Sequence, residues 1–310
     1  MTDVSPNTWQ SQGKTFAYQG HQIFYRDETA EEAGESPEVL VCVHGFPTSS
    51  WDWHLLWRTL TRRFRVIAPD MIGFGFSDKP KKYDYSIVDQ ADLHEALLAS
   101  LNIEHYHILA HDYGDSVAQE LLARDTQRES PRIQSCIMLN GGIIPTAHRP
   151  RPIQTLLAGP LGPLAVRLLN ESTFRKSFTE VFGPETPPTS SELSDYWSMI
   201  THNDGHRITH KLLGYMQERR DNATRWVPTV TQPTVPLRLI NGLLDPVSGK
   251  HLIDALRILA PEMDVVELRD VGHYPQVEAP ARVLEAIIEF HDRLAPPAGD
   301  RPESGQESTG

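Results

Sequence analysis

Short apolar runs alternate with segments of helical periodicity along most of the chain. Eight of these runs are rich in β-branched residues and are typical of strands. They are Thr15–Gln19, His21–Arg26, Val39–His44, Arg65–Pro69, His105–Ala110, Ile133–Leu139, Pro236–Asn241 and Asp264–Leu268. Several are continuously apolar, as expected for parallel strands that are covered on both faces. The pattern predicts an α/β fold with a mostly parallel sheet.

Two segments carry an apolar stripe at helical spacing. The segments Ser86–Leu101 and Ala281–Leu294 place apolar residues at intervals of three and four positions, which predicts one buried face on each helix. His94 lies on the stripe of the first helix. We interpret it as a packed histidine without a chemical role.

The alternation of strands and helices stops between about Asn140 and Pro233. This stretch is rich in proline, leucine and helix-forming residues, and Gly-Pro pairs interrupt its apolar part, Leu156–Leu169. A helical insertion over the sheet edge is the simplest interpretation. We therefore predict a core of residues 1–142 and 230–296, a helical cap of residues 143–229, and a polar, disordered tail of residues 297–310.

The acidic composition argues against a nucleic-acid partner. Lys and Arg number 29 against 41 Asp and Glu, a net charge of −12, which repels phosphate backbones. We interpret the short basic pairs Arg62-Arg63 and Arg219-Arg220 as solvated helix surface. Val39–Val43 is typical of the longest apolar runs and is far shorter than the ~20 residues of a membrane span. With no signal-peptide core, and with Cys42 and Cys136 in apolar runs, the chain is predicted to be cytoplasmic.

The strongest chemical signal is an acidic residue at a sharp strand-to-helix junction. Asp112 follows the strand His105–Ala110 and stands between the small residues Ala110 and Gly114. This is the setting of a nucleophile elbow, in which a tight turn lifts one side chain above the sheet. A carboxylate there can attack saturated carbon and form an ester that water must hydrolyse. A role as a helix N-cap suits Asp115 or Ser116 better than Asp112.

Three further loops at predicted strand ends complete a constellation. The Gly-bearing turn after Val43 can direct the backbone N–H of Phe46 into the site, where it would hold an oxyanion together with the N–H of Tyr113. Asp245 follows the seventh strand, and His273 follows the last. The chain order of nucleophile, acid and histidine is that of α/β-hydrolases.

These motifs resemble the epoxide hydrolase and haloalkane dehalogenase branch of the α/β-hydrolases. The resemblance rests on His44-Gly45-Phe46-Pro47, the glycine-rich Asp70–Ser77 loop, His111-Asp112-Tyr113-Gly114 and Gly272-His273. Within this branch, segments between about residues 38 and 290 resemble mesoderm-specific transcript proteins and their bacterial relatives. The resemblance implies an α/β-hydrolase fold, with an eight-stranded sheet and a cap inserted after strand 6.

The resemblance also implies a two-step hydrolysis. Asp112 would form an alkyl-enzyme ester, and His273, oriented by Asp245, would activate the water that hydrolyses it. An epoxide additionally needs a proton donor for the ring oxygen. Tyr215 occupies the position of one such cap tyrosine, whereas the second is vacant or falls to Tyr196.

We therefore predict an epoxide hydrolase that converts an apolar epoxide and water to a diol without a cofactor. A haloalkane dehalogenase with the same triad is the alternative. The positions that usually supply hydrogen-bond donors to the departing halide hold Phe46 and Tyr113 here, although Trp197 could serve as such a donor from the cap. The substrate's identity and handedness, and whether the chain forms a homo-oligomer, stay open.

Two other classes of function are weaker. His202, His206 and His210 have a one-faced metal-ligand spacing if they share a helix, but Gly205 weakens that helix and no carboxylate or cysteine completes the set. We therefore assign no metal. A binding protein without catalytic activity would not need a triad. The presence of all three triad residues therefore argues against this class.

Overall fold

A computed structural model of the chain describes residues 4–294. The predicted tail, 297–310, lies outside these residues. One sheet contains eight strands within the described range. They are β1 (Lys14–Tyr18), β2 (His21–Glu28), β3 (Val39–Val43), β4 (Arg65–Pro69), β5 (Tyr106–His111), β6 (Ile133–Leu139), β7 (Leu237–Gly242) and β8 (Asp264–Leu268). All eight predicted strands are thereby confirmed, with ends that differ by at most two residues.

The order of the strands confirms the predicted mostly parallel sheet. It is β1-β2-β4-β3-β5-β6-β7-β8. The β1–β2 and β2–β4 pairs are antiparallel, whereas the strands from β4 through β8 in this order pair in parallel. The carboxyl ends of parallel strands lie along one common edge of the sheet. In open α/β sheets, ligands bind beside these carboxyl ends. The loops after β3, β5, β7 and β8 therefore meet at one edge.

Helices cover both faces of this sheet. Before β6 lie α1 (Pro6–Ser11), α2 (His54–Thr61), α3 (Ile87–Ser100) and α4 (Tyr113–Asp125). Between β6 and β7 lie α5 (Pro152–Ala158), α6 (Gly162–Ala165), α7 (Glu171–Thr179), α8 (Ser190–Thr201), α9 (Thr209–Leu212), α10 (Tyr215–Asp221) and α11 (Ala223–Thr231). After β7 lie α12 (Lys250–Leu259), α13 (Pro275–Glu278) and α14 (Pro280–Leu294).

Two apolar cores separate the layers. Alternate residues of β3 face opposite sides: Val41 and Val43 join the core beneath α3, α4 and α12, whereas Leu40 and Cys42 join the core beneath α2 and α14. The start of α3 is fixed by the Ser86 hydroxyl, which accepts a hydrogen bond from the Asp89 N–H at 3.1 Å. His94 is buried on this helix, in agreement with its predicted packing role.

The segment between β6 and β7 is helical throughout its regular structure in the described chain, as the composition predicts. The boundaries 143–229 stay a prediction, and α11 at their end packs against α4 of the core. Asn203 and Asp204 adopt left-handed backbone angles, so His202 and His210 do not share one helix. None of the described helices is both long and apolar enough to cross a bilayer.

Candidate active site

Asp112 stands at a strained junction between β5 and α4. Its φ of 49° and ψ of −104° lie in a region that residues with a side chain rarely adopt, at a cost of about 1–3 kcal/mol. Gly114 permits the turn, because a Cβ there would lie 2.3 Å from the Val43 carbonyl oxygen. The helix begins directly after Asp112, so the predicted capping by Asp115 or Ser116 is wrong. The geometry is that of a nucleophile elbow.

His273 and Asp245 form a buried pair in the loops after β8 and β7. The His273 Nδ1 lies 2.7 Å from the Asp245 Oδ2. That carboxylate also accepts hydrogen bonds from the Asn140 side-chain amide, the Ser248 hydroxyl and the Val247 backbone N–H, at 2.9, 2.7 and 2.7 Å. These donors fix the carboxylate, which in turn orients the imidazole and leaves its Nε2 facing Asp112.

The two members of this pair hold each other in their charged forms. Burial opposes both charges, but the charge and hydrogen bond of Asp245 raise the pKa of His273 to about 9. Asp112 adds to this rise. Burial likewise opposes ionisation of Asp245, yet His273, Asn140 and Ser248 lower its pKa to about 2. In the resting state at neutral pH, His273 is therefore protonated.

The Asp112 carboxylate is held between a backbone donor and the histidine. The Phe46 N–H donates to its Oδ2 at 3.1 Å. The His273 Nε2 lies 4.0 Å from the same oxygen, too far for a direct hydrogen bond. The predicted donor Phe46 thus faces the predicted nucleophile. The role of the Tyr113 N–H stays a prediction, although Tyr113 opens α4 beside Asp112.

Arg219 belongs to this site, and the prediction that it lies on solvated helix surface is wrong. It is only 2 % exposed and is not solvated helix surface. Its Nη2 donates to the Asp112 carbonyl oxygen at 2.9 Å and lies 3.7 Å from the Asp112 Oδ1, and its Nε donates to the Ser116 hydroxyl at 2.5 Å. The sequence contained a signal that Arg219 lies beside Tyr215, because residues four positions apart share one face of a helix.

Tyr215 joins the same cluster. Its ring packs edge-on to Tyr113 at 5.1 Å between centroids, and the Arg219 guanidinium lies 4.5 Å from its ring centre. The hydroxyl is buried and has no hydrogen-bond partner in the described chain. Burial and the charge of Asp112 raise its pKa, so the phenol keeps its proton. Tyr196, also buried, instead packs against Trp51, Phe178 and Tyr274.

Two more buried groups near the elbow are uncharged. Burial and the negative charge of Asp112 raise the pKa of Asp115 far above its usual range. Burial and the positive charge of Arg219 lower the pKa of His148 to about 3. Both ring nitrogens of His148 are shielded from solvent and lack a partner within residues 4–294. The sequence offered no chemical signal for His148.

A small cavity of about 90 Å³ opens onto His273. Its lining is mostly apolar, with polar groups from α5, its N-cap and α7. The lining residues are Phe46, Pro47, Arg151, Ile153, Gln154, Phe174, Ser177, Phe178, Val181, Val247, His273 and Tyr274. The segment between β6 and β7 therefore contributes one wall, and the loops after β3, β7 and β8 contribute the other.

Known proteins share both the sequence and this architecture. Residues 38–158 match the family described as alpha/beta hydrolase fold. The human mesoderm-specific transcript homolog protein is 46% identical over 293 residues, covering 92% of this chain and 87% of its own. The chain belongs to the α/β-hydrolase family. LipZ of Mycobacterium tuberculosis is 38% identical, covering 93% of this hydrolase and 98% of its own length.

More distant matches include one curated sequence and several solved structures. Haloalkane dehalogenase 2 of Mycobacterium tuberculosis is 25% identical over 92% of this chain and 96% of its own. An α/β hydrolase fold protein from Burkholderia ambifaria superposes with a TM-score of 0.74 at 23% identity, covering 93% and 98% of the two chains. The epoxide hydrolase CorEH gives 0.72 at 19% identity, covering 91% and 99%. These structural matches confirm the fold.

Arg219→Gln is expected to destabilise the protein by at least about 3 kcal/mol, because removal of one partner leaves a buried charge uncompensated. The neighbouring Arg220 is exposed, so Arg220→Gln is the matched control and should change stability by no more than about 0.5 kcal/mol. Urea unfolding of both variants measures the difference. Equal stabilities would contradict the assigned role of Arg219.

Proposed function

We propose that this hydrolase opens a small apolar epoxide to a vicinal diol through an ester on Asp112. The observation that carries the proposal is the buried hydroxyl of Tyr215, which has no hydrogen-bond partner within residues 4–294 and whose ring packs on Tyr113 of the nucleophile elbow. An opening epoxide must receive a proton, since an alkoxide is a poor leaving group at neutral pH. The largely apolar cavity beside His273 supports an apolar substrate.

In the first step, the Asp112 carboxylate attacks one carbon of the epoxide ring. The Phe46 N–H holds the Oδ2, which leaves Oδ1 as the attacking oxygen. As the new C–O bond forms, the ring C–O bond breaks and its electron pair goes to the ring oxygen. Tyr215 donates its hydroxyl proton to that oxygen, and Arg219 lies against the ring of Tyr215 where it stabilises the phenolate.

In the second step, water hydrolyses the ester. Esterification removes the negative charge of Asp112, one of the groups that raise the pKa of His273. His273 then loses its proton more readily, and this proton returns to the Tyr215 phenolate. The neutral imidazole can then deprotonate water for attack on the ester carbon. The Phe46 N–H already faces the oxygen that becomes the oxyanion. Collapse of the intermediate breaks the bond between the ester carbon and the substrate oxygen. That oxygen takes the proton of the added hydroxyl group, so the diol is released and the Asp112 carboxylate is restored with His273 protonated again.

This chemistry requires no cofactor, because the carboxylate, the imidazole, the phenol and water supply every bond and proton. A haloalkane dehalogenase is the second candidate, favoured by the 25% identity to Haloalkane dehalogenase 2. It would need donors for the departing halide. Trp197 stacks on Phe174 of the cavity wall, and would serve from the cap, but Phe46 and Tyr113 have no side-chain N–H.

Epibromohydrin separates these two functions, because it carries an epoxide and a C–Br bond in one small molecule. We expect 3-bromo-1,2-propanediol without release of bromide at neutral pH, with Asp112→Ala as the inactive blank. Bromide release with glycidol as the product would instead establish the dehalogenase. Undiminished turnover in Asp112→Ala would overturn both assignments.

Tyr215→Phe should lower the rate of ring opening at least ~10²-fold, the usual scale for a lost general acid. Tyr196→Phe is the matched control, because Tyr196 is also a buried phenol without a hydrogen-bond partner in the described structure. We expect the control to retain near wild-type turnover. Single-turnover kinetics on an aryl epoxide measures both variants, and the reverse ranking would assign the proton donor to Tyr196.

A further inference from the structure

Three side chains of types that can bind metals lie close together where the parallel strands begin, at the end of the sheet opposite the catalytic loops. Glu38 directly precedes β3, His107 lies at the start of β5, and His291 lies in the last turn of α14. The parallel pairing of Leu40 with His107 brings the two strand beginnings together. One donor atom of each residue lies within 4.8 Å of the other two. This cluster takes no part in the proposed reaction.

The two imidazoles present buried nitrogens without partners. His107 is 5 % and His291 is 3 % exposed, and the Nε2 of each has no hydrogen-bond partner among the described residues. Buried polar atoms are nearly always hydrogen-bonded, so two orphaned nitrogens at one point require an explanation. The rings contact each other edge-on at 4.7 Å between centroids, and both contact Phe64.

A hydrogen bond at the far side of His107 is compatible with the form of the ring that binds metals, because the Ser135 hydroxyl can accept a hydrogen bond from a protonated Nδ1. Its Nδ1 lies 2.7 Å from the Ser135 hydroxyl. With the proton on Nδ1, the Nε2 carries a free lone pair that faces Glu38, whose Oε2 is 3.7 Å away. Metal-bound histidines are commonly fixed in this way through their other nitrogen.

We propose that Glu38, His107 and His291 bind one Zn²⁺ ion, with water as the fourth ligand. Tetrahedral zinc with bonds of about 2.0–2.1 Å separates its ligand atoms by about 3.3 Å, so the 3.7 Å between Glu38 and His107 needs only a small adjustment. The Glu38 side chain is 60% exposed and offers a path from solvent. The nearby Arg63 donates a hydrogen bond to Asp292 at 2.5 Å.

The location gives this site a structural role. The ion would connect the beginnings of two central strands to α14, which ends the described chain. A ligand that binds only the folded state raises its stability. Zinc should therefore raise the unfolding temperature without changing turnover, since the catalytic residues lie at the other edge of the sheet.

The test uses the full-length protein, stripped with EDTA and titrated with Zn²⁺ against a fluorescent chelator. We expect one ion per chain and a higher unfolding temperature. Glu38→Gln, at an exposed position that folding tolerates, and His107→Gln should each abolish both effects. Ser135→Ala should weaken binding at least about 10-fold, as for other groups that orient a ligand. Asp112→Ala and His273→Gln should bind as the wild type does.

His105→Gln is the matched control, because His105 is exposed two residues before His107. It should leave binding and the temperature shift unchanged. Absence of stoichiometric binding to the wild type would overturn the proposal. Binding that survives Glu38→Gln and His107→Gln undiminished, or that is lost in His273→Gln, would overturn it equally, because the ion would then lie elsewhere.

Discussion

An ionised carboxylate removed from water is the constraint on which the rest of the site depends. Asp112 is 3% exposed, and an isolated buried charge of this kind is strongly unfavourable. The Phe46 N–H and the Arg219 guanidinium compensate it directly, and His273 adds a second positive charge. Together with Asp245, the site holds two anions and two cations. Burial keeps neighbouring Asp115 neutral, which preserves this balance.

The same balance links the two chemical steps. While Asp112 is ionised, its charge helps to keep His273 protonated and unable to act as a base. In the proposed reaction, formation of the ester moves that negative charge from Asp112 to the Tyr215 phenolate, which can then take up the histidine proton. The charge of the nucleophile would thus control when His273 can act as the base. Tyr215 and Arg219, four residues apart on α10, would connect this step to the helices between β6 and β7.

The fold and the site could be predicted from the sequence where the signal lies in a short stretch of residues. The junction Ala110-His111-Asp112-Tyr113-Gly114 predicts the elbow because a tight strand-to-helix turn needs small flanking residues, and the mostly parallel sheet follows from apolar runs between helices. Arg219 was missed because charged residues on a helix are usually solvated, and its burial depends on how the cap packs. The cluster of Glu38, His107 and His291 joins His291 to two residues that lie more than 180 positions earlier in the chain. No local sequence pattern can predict that these three side chains lie close together.

Intact mass spectrometry of His273→Gln after exposure to a substrate that the wild type hydrolyses tests the central claim most directly. The variant should retain the nucleophile and lose the base. We therefore expect one added substrate mass per chain, located by peptide mapping on Asp112, whereas the wild type accumulates far less. A folded His273→Gln variant that turns over normally, that carries no adduct, or that carries it on another residue would contradict the account.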